Sequence, residues 1–186
     1  MKKIPRALLF VFTFFLTTGA ALGGNTSDFC NIGILVNGAG RHRVTVNGGS
    51  FWCHEECLIV SAGDKSRIRI SGSELKSNGA SVIQINSCDN AVITGCTLLR
   101  PMKSHIDPAV VLNGGKVVLG SNFIESRGPG VVIEPGLSSA AITGNIIESV
   151  DKKTAIIDHR GTKSSIVIAS NAITAFPKDT VSQSAK

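Results

Sequence analysis

The sequence contains no tyrosine, a single tryptophan and two methionines, and aromatic residues make up 5% of its 186 positions. Surfaces that hold nucleic acid interleave runs of Lys and Arg with aromatic side chains, and no such run occurs here, so nucleic acid is not expected as a partner. Long apolar stretches are missing too. The longest, ALLFVFTFFL at residues 7–16, falls short of the ~20 residues that a membrane helix requires.

That short run fits a different purpose. Met1, Lys2, Lys3 and Arg6 precede it and the small-residue string TTGAALGG follows, the layout of a secretory signal peptide over residues 1–23. The leader carries three Lys and Arg and no acid, so the formal charge falls from +6 to +3 without it. The mature chain is therefore expected to be secreted or periplasmic, without stable membrane insertion. It is long enough for one domain, read as residues 24–176, ahead of a polar tail at 177–186.

What the sequence does have is repetition. The strings VTVNGGSF, IRISGSEL, VITGCTLL, VVLGSNFI, AITGNIIE and IVIASNAI align on Gly48, Gly72, Gly95, Ser121, Gly144 and Ser170, at spacings of 23 to 26 residues. Two residues before each anchor stands an apolar one: Val46, Ile70, Ile93, Leu119, Ile142 and Ile168. A second strand precedes each string, with inward positions Ile34 and Val36, Leu58 and Val60, Ile83 and Ile85, Val110 and Leu112, Val131 and Ile133, and Ala155 and Ile157. A third, shorter strand follows the anchor around Phe51, Leu75, Leu98, Ile124, Ile147 and Ile173.

Three strands per turn, repeated in register six times, predict a solenoid whose coils pair only with their neighbours, about 4.8 Å apart. Equivalent residues then form ladders. Asn122, Asn145 and Asn171 are expected to form one at a sharp corner, where asparagine tolerates left-handed backbone. The three earlier coils carry Gly49, Ser73 and Cys96 there.

With its I-x-G-N-x-I strings, the chain resembles the right-handed parallel β-helices of the pectate lyase-like superfamily from residue 32 to about 176. The fold expected is therefore all-β, a right-handed parallel β-helix of about six coils with three short strands each. A left-handed β-helix lacks support because its hexapeptide period is absent, and a sandwich would not give six in-register copies. The resemblance implies an exported protein that binds, and in many members cleaves, a polysaccharide. The alternatives are a non-catalytic envelope or adhesin-like module, or a fragment of a larger polysaccharide-active protein, since the fold hosts many functions.

Motifs narrow this only partly. The polygalacturonase strings NTD, GHG and RIK are missing, and RIRI at 67–70 reads as a strand with outward arginines. IIDH at 156–159 matches three positions of the WIDH string with which pectate lyases help to bind calcium. RGPGVV at 127–132 carries the Arg and Pro of their R-x-P-x-x-R string but not its final arginine. By resemblance, Asp158 is a calcium ligand and Arg127 a proton acceptor.

Geometry offers a second route to the same region. The residue after each second strand gives an outward polar row, Asn37, Ser61, Asn86, Asn113, Glu134 and Asp158, continued by His159 and Arg160. If Glu134 and Asp158 are rung neighbours, their carboxylates stand about 5 Å apart, a separation that suits either a shared calcium ion or a retaining glycosidase pair. The candidate catalytic set is thus Glu134, Asp158, His159, Arg160 and Arg127, with Asn86 and Asn113 as candidate substrate-binding residues. Calcium on Glu134 and Asp158 is the candidate cofactor, and a solvated strand end is the bland alternative.

Five cysteines complete the inventory: Cys30, Cys53, Cys57, Cys88 and Cys96. Cys30 and Cys53 lie one coil apart and could bridge across a rung. The CHEEC segment at 53–57 lacks the second half of a zinc site, which favours disulfide or thiol chemistry over metal. Leu35, Ile59, Gln84, Val111, Val132 and Ile156 form an outward, mostly apolar stripe on the second strand, which predicts a covered face and a homo-oligomer. No amphipathic cap is expected at either end of the stack.

Overall fold

The computed structural model describes residues 19–24, 26–101, 107–160 and 165–176. The expected leader core at 7–16 and the polar tail at 177–186 lie outside the described residues. A partial first rung holds β1 (Gly19–Gly23) and β2 (Thr26–Cys30). The next coils run β3 (Ile34–Gly38), β4 (Arg43–Asn47) and β5 (Ser50–Cys53), then β6 (Leu58–Ala62), β7 (Arg67–Ser71) and β8 (Glu74–Ser77). The middle of the stack is β9 (Ile83–Ser87), β10 (Asn90–Thr94) and β11 (Thr97–Arg100), then β12 (Val110–Leu112), β13 (Gly115–Gly120) and β14 (Phe123–Ser126). It ends with β15 (Val131–Ile133), β16 (Leu137–Thr143) and β17 (Ile146–Ser149), then β18 (Ile156–Asp158), β19 (Ser165–Ala169) and β20 (Ala172–Ala175).

Every third strand pairs in parallel with the strand one coil away, which sorts them into three sheets. Sheet one is β1-β4-β7-β10-β13-β16-β19, sheet two β2-β5-β8-β11-β14-β17-β20, and sheet three β3-β6-β9-β12-β15-β18. The only helical turn among the described residues is a 3-10 turn at Lys152–Thr154. The six repeats read from the sequence are thus six coils, with β1 and β2 added ahead of them.

Alternation produces the core. The inward columns Val46, Ile70, Ile93, Leu119, Ile142 and Leu58, Val60, Ile83, Ile85, Leu112, Ile133 are at most 1% exposed, so the three sheets close around one apolar axis. Ile168, in the same column on β19, the terminal strand of sheet one among the described residues, is 45% exposed. A polar column runs beside the apolar ones. Ser77, Arg100, Ser126 and Ser149 end the strands of sheet two, fully buried. Arg100 satisfies its guanidinium on the carbonyls of Ala80 (2.8 Å) and Gly79 (2.9 Å) and on Asp107 (3.1 Å).

The asparagine ladder forms, with its backbone geometry displaced by one residue. Left-handed backbone belongs to the anchors Gly24, Gly48, Gly72, Gly95, Ser121, Gly144 and Ser170, at φ between 55° and 71°, and not to the asparagines that follow. The turn lets each asparagine point inward. Asn122 Nδ2 donates to Asn145 Oδ1 (3.0 Å) and Asn145 Nδ2 to Asn171 Oδ1 (2.9 Å), while the same oxygens accept from the Asn122 and Asn145 backbone amides (3.0 Å each). Buried amides are thereby satisfied without water.

The last coil differs from the sequence reading by one residue. Val131 pairs with Ile156, Val132 with Ile157 and Ile133 with Asp158. The 3-10 turn, capped by Asp151 accepting from the Lys153 amide (3.0 Å), delivers Ala155 to the corner, where its carbonyl accepts from both Gly130 and Val131 (2.9 Å each). Ile156 therefore packs against the core and Ile157, not Ile156, continues the outward stripe of Leu35, Ile59, Gln84, Val111 and Val132. That stripe is at most half-exposed, and Val132 is 6% exposed.

Candidate functional site

The polar row lies along the corner where sheet three turns into sheet one. Gly38 donates to Asn37 Oδ1 (2.8 Å), Asn86 Nδ2 to Ser61 Oγ (3.0 Å), and Gln84 Nε2 to Asn86 Oδ1 (3.0 Å). A bulge after Val60 sets Ser61 opposite Ser87, so Asn86 leans out of strict register. Asn113 is exposed, and Gly136 on the next rung packs against its carbonyl, where a Cβ would approach to 2.2 Å.

Glu134 and Asp158 are not rung neighbours. The shifted register puts His159 over Glu134: the His159 amide donates to the Ile133 carbonyl (2.9 Å), and its Nδ1 lies 3.3 Å from Glu134 Oε1. Asp158 falls instead opposite Ile133, at an exposed position. Arg160 closes on it. Its backbone amide (3.0 Å) and Nε (2.9 Å) donate to Asp158 Oδ1 and its Nη2 to Oδ2 (2.9 Å). This bidentate guanidinium holds the Asp158 carboxyl below its ordinary pKa range. A calcium ion shared by Glu134 and Asp158 would have to displace Arg160, and the described residues include no cluster of three or more His, Cys, Asp or Glu placed to hold a metal.

Arg127 stands apart from this group. It opens the turn before β15, at the opposite end of that strand from Glu134, and its guanidinium stacks on the Phe176 ring at 4.3 Å. The structure therefore brings together Glu134 and His159, pairs Asp158 with Arg160 beside them, and leaves Arg127 at another corner.

Three to four rungs nearer the N-terminus than Glu134, the same corner carries a feature that sequence reading missed. The loops 39–42 and 63–66 stack, and with the first residues of β4 and β7 and with Asp89, just before β10, they line an open pocket of about 610 Å³. Arg41, Arg43, Lys65 and Arg67 line it, against the carboxylates of Asp64 and Asp89, with His42 between. Arg67 Nε donates to Asp89 (3.1 Å), which leaves three cations over one carboxylate. The floor is pinned by Ser66, fully buried. Its Oγ donates to the Gly40 carbonyl (3.0 Å) and accepts from the His42 amide (3.1 Å), and its carbonyl accepts from Asp89 (2.9 Å) and Asn90 (3.2 Å). Rung pairing sets Arg43 directly against Arg67. The signal is present in GRHRV and DKSRIRI, whose basic residues recur one 24-residue period apart, but the sequence reading takes only RIRI, as a strand with outward arginines, and does not single out GRHRV.

The single tryptophan is not part of this corner. Trp52 is on sheet two with the Lys76 ammonium 3.9 Å above its ring.

Three closed parallel sheets wound on one axis define a parallel β-helix, and the sequence carries the family's signature over most of its length. The model of the right-handed β-helix region family matches residues 32–185, and the chain belongs to that family. No curated protein and no solved structure matches it.

Proposed function

We propose that the protein binds an acidic polysaccharide along the corner between sheets three and one, anchored in the basic pocket of Arg41, Arg43, Lys65 and Arg67. One observation carries this reading: cations of two successive rungs stack in register on a buried, hydrogen-bonded floor. A column of cations repeating at the strand spacing of ~4.8 Å suits a polymer with a charge on each unit, because every repeat of one can meet a rung of the other. Asn86 and Asn113 lie further along the same corner and offer amides to hydroxyl groups of the chain. Export, as the leader predicts, delivers the protein to a compartment where such polymers occur.

The test is retention of the protein on immobilised polygalacturonate and on neutral dextran. Binding is expected only to the acidic polymer, and it should fall between about 0.05 M and 1 M salt as the screening length shrinks to about 3 Å. Arg41→Ser, Arg43→Ser and Lys65→Ser combined should abolish it. Equal binding to both polymers, or retention by the triple variant, overturns the reading.

Cleavage is a second reading, favoured by the contact between His159 Nδ1 and Glu134. A carboxylate that orients an exposed imidazole can prepare it to take a proton. If so, the protein shortens polygalacturonate, and His159→Asn binds the polymer without shortening it. An intact polymer after long incubation leaves a binding module.

A further inference from the structure

Three cysteine sulfurs converge at the N-terminal end of the stack. Cys30 ends β2 and Cys53 ends β5, and they are rung partners only because a bulge skips Phe29: Asp28 pairs with Trp52, and the next pair is Cys30 with Cys53. Without the bulge, Cys30 would overshoot its partner by one position. With it, the two sulfurs lie 2.8 Å apart, both as thiols. Rung neighbours stand about 4.8 Å apart at Cα, inside the ~4.4–6.8 Å range of disulfides. The backbone is held on both sides, with the His54 amide donating to the Cys30 carbonyl (2.7 Å) and the Glu55 amide to that of Asn31 (2.9 Å).

Cys57 is the competing partner for Cys53. Its thiol also reaches Cys53, but it is fully buried and donates to the carbonyls of Phe51 (3.4 Å) and Lys76 (3.1 Å). Cys53 is fully buried too, and Gly33 packs over it so closely that a Cβ there would come within 3.0 Å of its sulfur. Cys30 is the partly exposed member of the three. A reagent from solvent meets Cys30 first.

We propose that Cys30 and Cys53 form a redox-operated staple, in which a disulfide between them locks the strand β2, Thr26–Cys30, onto the rest of the stack. The oxidant is a small-molecule or protein disulfide. The Cys30 thiolate attacks it, a mixed disulfide forms at Cys30 as the oxidant's S–S bond breaks, and one thiolate leaves. Cys53 then loses its proton and attacks Cys30 Sγ, the mixed disulfide breaks, and the second thiol is released. Two protein thiols give up two electrons and two protons, and the oxidant becomes two thiols. The second step is the slow one. The hydrogen bond that the Cys53 thiol makes to Cys57, and then burial, push that thiol far above its ordinary pKa range, while Cys30 opposes the shift.

The experiment oxidises the whole chain with oxidised glutathione, alkylates remaining thiols in denaturant and maps the peptides by mass spectrometry. The expected product links Cys30 to Cys53, leaves Cys57, Cys88 and Cys96 alkylated, and forms faster as pH rises. Its Tm should exceed that of the reduced protein by about 5–10 °C, as closing a loop of this length stabilises a chain of this size. Cys30→Ala, a change at a partly exposed site, should erase that difference. A Cys53 to Cys57 link, glutathione retained on Cys30, or a Cys30 to Cys53 link with unchanged Tm each overturns the staple.

Discussion

Asn145 holds its corner through both ends of one amide. Its Oδ1 accepts from the side chain and backbone of Asn122, and its Nδ2 donates to Asn171 and to the Leu119 carbonyl (2.9 Å). Asn145→Ala should therefore cost about 3–5 kcal/mol, measured by urea unfolding, because it strands several buried polar groups at once. Asn171→Ala, on the open coil, should cost less, since water can replace what is lost. Ser121 carries the opposite lesson. It adopts φ 55°, a conformation glycine takes without strain and its counterpart Gly144 fills at φ 67°. Ser121→Gly should stabilise by about 0.5–1 kcal/mol, with a small rise in Tm as the readout. Asp158 gives a pH signature. Its lowered pKa means that its pair with Arg160 contributes fully above the ordinary carboxylate range and is lost as pH falls through the folded-state value. The carboxylate is exposed but the Arg160 side chain it neutralises is only 5% exposed, so Asp158→Asn should cost about 1–2 kcal/mol at pH 7, more than a fully exposed pair, and flatten the acid limb of the stability profile.

Strands were legible wherever inward residues alternate with outward ones. Val46, Ile70, Ile93, Leu119 and Ile142 lie where period-2 alternation and the 23- to 26-residue repeat require them. β1 and β2, with sequences GAALG and TSDFC, lack that alternation and enter the sheets through backbone pairing. The last coil was misread because a 3-10 turn occupies part of the repeat, and residue counting cannot tell a turn that advances the register from one that does not. That single step replaced Asp158 with His159 opposite Glu134. The basic pocket was missed for a different reason: its cations come from two loops, and only stacking makes them one surface. The new register has a direct test. Ile156→Lys should destabilise by about 2–4 kcal/mol in thermal unfolding, and Ile157→Lys by much less, because the first faces the core and the second faces outward.

The molecule as a whole is graded from centre to end. Ile142 is fully buried, whereas Ile168 one rung later is 45% exposed and Val167 57%. Hydrogen exchange should follow the gradient, fastest in β19 and β20 and slowest around β10 and β13, since each coil is held only by those beside it. Among the described residues β19 and β20 are the terminal strands of their sheets and carry exposed apolar side chains, Val167 and Ile168, a surface that favours pairing with another chain. Self-association through this end is the expected consequence. Sedimentation should show it weakening in Ile168→Lys, and a parent protein that stays monomeric at high concentration would count against it.

The anchor column carries a consequence for growth. From Gly24 to Ser170 the same left-handed residue recurs at each turn of the chain, and every coil leaves the corner as it entered it. A segment cut between two such residues is a complete unit of length. Inserting a second copy of residues 122–144 after Gly144 should add one rung, lengthening the particle by ~4.8 Å in small-angle scattering without a change of cross-section. In such an architecture, the distance between the basic pocket and the Glu134–His159 pair becomes an adjustable dimension, set by the number of rungs between them.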